Sequence, residues 1–149
     1  MTDLYLEDLH VGDRFDSDTL HVTEEDIIAF ARDFDQQAFH LDKSAAEKSV
    51  FKGLAASGWH TAAMSMRLYT TGKFRAAGGS VGLAVDELRW PHPVRPGDTL
   101  RLETEILEVR PSQSKPDRGI IRIRNVTTNQ RGEIVQTFLA FVMVQRRPR

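Results

Sequence analysis

Two periodicities divide the chain. Behind Thr23, apolar residues fall at Ile27, Phe30, Ala31 and Phe34, the i, i+3, i+4, i+7 spacing of one helix face. Thr23-Glu-Glu-Asp26 has the form of an N-cap followed by an acidic first turn, with Val22 and Ile27 placed as a hydrophobic staple. A short second helix is expected after Asp42 or Ser44, the latter offering a Ser44 to Glu47 capping-box spacing. A third should run from near Ser57-Gly58 to near Gly72, with Trp59, Ala62, Ala63, Met66 and Tyr69 as its apolar face. After Gly79 the period becomes two. Val81, Leu83 and Val85 alternate with smaller or polar neighbours, and Leu100, Leu102, Thr104 and Ile106 alternate with Arg101, Glu103 and Glu105. Pro91, Pro93 and Arg95-Pro-Gly-Asp98 separate these strands. Asn129-Gln-Arg-Gly132 reads as a hairpin turn between strands beginning near Gly119 and Glu133. The last strand, over 134–144, is apolar at most positions, which predicts a central place with both faces covered. Helices first and strands later describe an α+β domain in which an antiparallel sheet wraps a helix.

Composition narrows the function classes. A chain of 149 residues with no internal repeat or Gly/Ser linker reads as one domain over 1–149. Lysine plus arginine number 20 and aspartate plus glutamate 21, so no overall field concentrates nucleic acid or anionic membrane at the surface. Cysteine is absent, which removes disulfides, thiol nucleophiles and thiolate metal sites. The first ten residues carry Asp3, Glu7 and Asp8 without a basic segment, and no apolar run approaches a membrane span. A cytoplasmic protein without a membrane partner is expected. The basic tail Gln145-Arg-Arg-Pro-Arg149 is expected to fray.

Among the ionisable residues, the cluster Asp35-Gln-Gln-Ala-Phe-His40-Leu-Asp42 stands apart because it lies between two helix signals. On a helix, a separation of five residues leaves two side chains about 140° apart, and on a strand it puts them on opposite faces. Asp35 and His40 therefore converge only across an irregular segment. A carboxylate beside an imidazole makes an acid/base unit, because histidine exchanges protons near cellular pH. The alternative is that Asp35 caps a turn and His40 packs beside Phe39. Asp42 reads as a helix cap. A second element, Gly53-Leu-Ala-Ala-Ser-Gly-Trp-His60, leads through glycine into a helix, whose unpaired N–H groups suit an anion or a developing oxyanion. Alternatively, Gly53 and Gly58 only let that helix enter between closely packed strands.

Taken together, these elements resemble the MaoC-like dehydratases and (R)-specific enoyl-CoA hydratases. The family motif is an aromatic residue, then Asp-x-Asn-Pro-(aliphatic)-His-x-Asp, then paired alanines. Phe30, Asp35-Gln-Gln-Ala-Phe-His40-Leu-Asp42 and Ala45-Ala46 follow that order, as do Phe51-Lys-Gly53, Ser57-Gly58 and Pro93-Val-Arg-Pro-Gly-Asp98. The resemblance implies a hot-dog fold, an antiparallel sheet around a long central helix, forming a homodimer or higher homo-oligomer with the site where protomers meet. It implies reversible addition of water to a trans-2-enoyl-CoA, giving an (R)-3-hydroxyacyl-CoA. Asp35 and His40 would hold the water and move its protons, and the Gly58 N–H would steady the thioester oxygen. Gly53, Ser57, Trp59 and His60 are the neighbouring candidates for substrate binding, with Ser57 also reading as a helix cap and His60 as facing the site or a partner subunit. No cofactor is implied beyond coenzyme A as part of the substrate. No metal is implied either, and the five histidines show no ligand spacing. Two departures stand out: Gln37-Ala38 replaces Asn-Pro, and Ser57 stands where many members have histidine. They keep two alternatives in view, a hot-dog acyl-CoA thioesterase and a non-catalytic acyl-CoA-binding subunit.

Overall fold

The computed structural model describes residues 2–149. Its strands are β1 (Arg14–Asp16), β2 (Leu20–His21), β3 (Val81–Arg89), β4 (Thr99–Pro111), β5 (Arg118–Thr128) and β6 (Ile134–Gln145). Its helices are α1 (Glu24–Phe34), α2 (Ala38–Leu41), α3 (Lys43–Glu47) and α4 (Gly58–Thr71). The strands form one antiparallel sheet in the order β1-β4-β5-β6-β3, with β2 also paired to β4, and the sheet does not close on itself. This is the hot-dog arrangement, with α4 held against one face. Met64, Leu68 and Tyr69 of α4 join Ile106, Ile121, Ile123 and Val142 of the sheet in one buried cluster.

The face of α4 that enters the core differs from the one its apolar residues suggest. Thr61, Met64, Ser65, Leu68 and Tyr69 are buried, whereas Trp59 and Met66 remain mostly exposed. Small hydroxyl side chains allow close approach to the sheet, and the buried Ser65 Oγ pairs with Thr127 Oγ1 of β5 at 2.7 Å, so neither is left unsatisfied. β6 is central, as its pattern predicts, but only one of its faces is fully buried. Leu139, Phe141 and Met143 are half-buried on the other, where the Arg122 guanidinium lies 5.3 Å from the Phe141 ring centroid. The C-terminal tail does not fray as expected. Arg146 donates to Glu7 Oε2 at 2.9 Å, and Arg147 pairs with Asp8 while lying over the Tyr5 ring.

β3 is an edge strand, and Val81, Leu83 and Val85 on it are all exposed. Its far end carries a bulge. Asp86 pairs with Leu139 and Arg89 with Thr137, so three steps along β3 match two along β6, and Glu87 absorbs the extra residue at φ 53°. A one-residue insertion exchanges the faces of everything that follows it. Trp90 consequently turns inward across from Gln136, to which its Nε1–H donates at 2.8 Å.

Candidate active site

The site begins where α1 stops. Thr23 caps the helix start, its Oγ1 accepting from the Asp26 N–H at 3.1 Å, and Asp35 forms the C-cap with extended φ. Only residues 35–37 are irregular. Ala38 opens the single turn of α2, which places His40 in the interior, and Asp42 then caps α3 by accepting from the Ser44 N–H at 3.0 Å. The second helix signal is thus answered by α3, with Asp42 rather than Ser44 as its cap, while α2 is an extra turn inside the segment expected to be irregular throughout.

This path brings His40 Nε2 to 3.3 Å from Asp35 Oδ2. The opposite ring nitrogen, Nδ1, donates to the carbonyl of Ala55 at 2.5 Å. A carbonyl oxygen only accepts, so Nδ1 holds the proton and Nε2 is the nitrogen free to exchange one beside the carboxylate. His40 also packs edge-on against Phe39 at 4.6 Å, so its packing and its pairing with Asp35 coexist. The His40 side chain is 5 % exposed and that of Asp35 17 %, which leaves the carboxylate as the more accessible member. Burial alone would raise the Asp35 pKa. The Ser57 hydroxyl, the Gln37 amide and the charge of His40 outweigh it, and the carboxyl is held below its ordinary value as an anion.

Behind the pair, Arg95 clamps the segment that carries Ala55. Its guanidinium donates to the carbonyls of Phe51, Gly53 and Leu54. Arg95 is therefore engaged inside the fold. Gly53 belongs to this clamp, since a Cβ there would meet Arg95 Nη1 at 3.3 Å and its φ is 159°.

Gly58 is the first residue of α4, and its N–H has no acceptor among the described residues. Ser57 is fully buried and caps the helix, its Oγ accepting from the Trp59 N–H at 3.3 Å. Asp35, His40, Gly58, Trp59, Thr61 and Trp90 border one cleft of about 500 Å³. Gly53, Ser57 and His60 do not line it. His60 stacks on Phe30 at 4.7 Å on the α1 side, with its Nδ1 buried and unpaired, and burial lowers its pKa against a smaller opposing pull from Asp26. Among the described residues no group of three or more histidine, aspartate or glutamate side chains is arranged to hold a metal, and no helix is long and apolar enough to cross a membrane.

A family model described as MaoC like domain matches residues 8–129. The chain belongs to the MaoC-like dehydratase family. A MaoC-like dehydratase from Rhodospirillum rubrum is 55 % identical, superimposes with a TM-score of 0.94, and is matched over 98 % of this chain and 99 % of that one. The R-hydratase PhaJ1 from Pseudomonas aeruginosa is 27 % identical with a TM-score of 0.79, over 97 % and 88 % of the two chains. The uncharacterized protein YdeM of Bacillus subtilis is 32 % identical over 126 residues, 85 % of this chain and 88 % of its own.

Within this MaoC-like frame the departures acquire a physical meaning. Ala38 occupies the first helical position of α2, where a proline's fixed φ suits a helix start, yet the turn forms without it: His40 N–H donates to Gln37 O and Asp42 N–H to Ala38 O, each at 2.9 Å. Gln37 Nε2 donates to Asp35 Oδ1 at 2.6 Å, so the longer amide binds the carboxylate directly and leaves Oδ2 to His40. Two contributors escape sequence reasoning. Ala55 acts through a backbone carbonyl, which no residue type announces, and Trp90 enters the cleft because of the bulge at Glu87, a residue without any turn signal.

Proposed function

We propose that the protein is an acyl-CoA hydratase or dehydratase that adds water reversibly to a trans-2-enoyl-CoA, forming an (R)-3-hydroxyacyl-CoA. One observation carries this reading: Asp35 Oδ2 and His40 Nε2 stand 3.3 Å apart in the same cleft as the unpaired N–H of Gly58. A water held by both groups is polarised by the anionic carboxylate and by an imidazole with one nitrogen free to exchange. Its oxygen bonds to C3 of the enoyl group, one proton passes to the Asp35/His40 pair, and a proton from the pair goes to C2. During this transfer negative charge collects on the thioester oxygen, where the Gly58 N–H at the start of α4 stabilises it. Dehydration is the same path reversed. No cofactor takes part in these steps beyond the coenzyme A of the substrate.

The working unit in this reading is a cytoplasmic homodimer. The exposed Val81, Leu83 and Val85 on the unpaired β3 edge support it, because a long apolar edge left open invites strand pairing, and an antiparallel second copy supplies the complement. Incubating the protein with a short trans-2-enoyl-CoA tests the reaction. The conjugated enoyl absorbance should fall without release of free thiol; thiol release would instead indicate thioester hydrolysis, and binding without turnover a non-catalytic subunit.

A further inference from the structure

Trp90 is positioned more tightly than a residue just beyond a strand end normally is. The bulge at Glu87 shifts it to the inner face, and its indole N–H is fixed on Gln136 Oε1 at 2.8 Å. Gln136 is 1 % exposed, so the acceptor is itself held in the core. The indole lies flat against Gly58: a Cβ at that position would come within 2.7 Å of Trp90 Cδ2 and Cε2. Real Cβ atoms do not approach so closely, so glycine at 58 is a condition of the ring's placement as well as of an accessible N–H. Trp59 closes the outer side with an edge contact at 5.4 Å. Trp90 nevertheless keeps 40 % of its surface exposed and borders the cleft with Asp35 and His40.

We infer that Trp90, latched by Gln136, is a specificity-determining wall of the acyl site that selects thioesters unbranched at the α-carbon. The inference rests on the hydratase reading for the placement of the thioester oxygen at the Gly58 N–H. An oxygen held there puts the thioester carbon and its α-carbon beside the indole face. In the saturated hydroxyacyl thioester C2 is tetrahedral, so an unbranched chain presents only hydrogen to that face, whereas an α-methyl projects toward a ring that Gln136 keeps from swinging away. A single misplaced methyl is worth roughly 10- to 200-fold in selectivity at a shaped apolar wall. Gln136 is a positioning residue in this scheme, acting through the ring.

Equilibrium binding of butanoyl-CoA and 2-methylpropanoyl-CoA tests the inference, because the two saturated ligands have the same atoms in different shapes and neither is turned over. The parent protein should bind the straight ligand about tenfold more tightly or better. Trp90→Leu should bring the two Kd values within about threefold, chiefly by improving the branched ligand, and Trp90→Phe should fall between. Gln136→Met, which keeps the side-chain volume and removes the acceptor, should reduce the preference with Trp90 still present. An unchanged Kd ratio in folded Trp90→Leu or Trp90→Phe protein would overturn the inference, as would a parent that shows no preference or binds neither ligand. The hydratase reading fails separately, on absence of hydration; a shifted binding ratio without hydration would leave the wall in place and remove the reaction.

Discussion

The Nδ1–H of His40 donates to the backbone carbonyl of Ala55, and this one bond decides which nitrogen faces the chemistry. Because the carbonyl cannot give a proton, the neutral ring is confined to the Nδ1–H tautomer. Nitrogen NMR of the labelled imidazole should therefore report Nδ1 as the protonated nitrogen of neutral His40. A signal for the Nε2–H tautomer would break the assignment of Nε2 as the exchanging atom.

Arg95 supports that bond from behind by gathering the carbonyls of Phe51, Gly53 and Leu54. Arg95→Met keeps much of the aliphatic stem and removes the donors, leaving the carbonyls of buried Leu54 and of half-buried Phe51 and Gly53 to find other partners. Hydrogen bonds to charged groups contribute about 1.5–3 kcal/mol each in net terms, and coupling within one clamp keeps the sum near a single such value. Denaturant unfolding should show a loss of about 1.5–3 kcal/mol, accompanied by lower activity because the Ala55 carbonyl is no longer fixed.

His60 gives the fold a sensitivity to mild acid. Burial holds its pKa below the ordinary histidine value, so the unfolded chain binds a proton there before the folded one does. Stability from this group is complete above the ordinary value near 6.5 and declines as pH falls from there through the folded-state pKa. Asp26 and the ring of Phe30 are the groups facing it from α1. The depressed Asp35 pKa acts in the same direction but only in the lower window beneath the ordinary carboxylate value. Melting temperatures measured between pH 7.5 and 5 should fall less steeply for His60→Phe than for the parent. Parallel curves would remove His60 from the account.

The open β3 edge predicts its own failure mode. Leu83→Lys places a charge in the middle of an exposed apolar strand without disturbing the buried core. Sedimentation should show a dimeric parent and a monomeric Leu83→Lys protein of similar fold. A monomeric parent would contradict the dimer reading.

How much of this was legible beforehand depends on whether the signal was local. The start of α1 at Thr23 follows from capping chemistry, and the Asn129 to Gly132 turn from its glycine, which adopts φ 75°. That Asp35 and His40 could converge only across a break in helix was also readable, since regular structure forbids it at that spacing; that they do so was implied by the family resemblance and not by the spacing. The buried face of α4 was not, because Ser65 is a core residue by virtue of a partner on another element, Thr127 of β5, and Thr61 is buried with its hydroxyl turned back onto the Ser57 carbonyl one turn earlier, where residue type alone reads as exposed. The role of Trp90 was hidden for a similar reason: its direction depends on a register shift against β6, a property of two strands rather than of one. The half-exposed outer face of β6 reflects arginine stems from β5 standing where a second covering layer was expected.

The most direct test of the central claim is the hydration rate of a trans-2-enoyl-CoA by the parent, Asp35→Asn and His40→Gln proteins, each verified as folded. Loss of either half of a general acid–base pair removes about 10²- to 10⁴-fold in rate. The account predicts an active parent with both variants reduced at least a hundredfold in kcat, their bound-substrate affinity changing far less. An inactive parent, or either variant retaining activity within a few fold of it, would contradict the account.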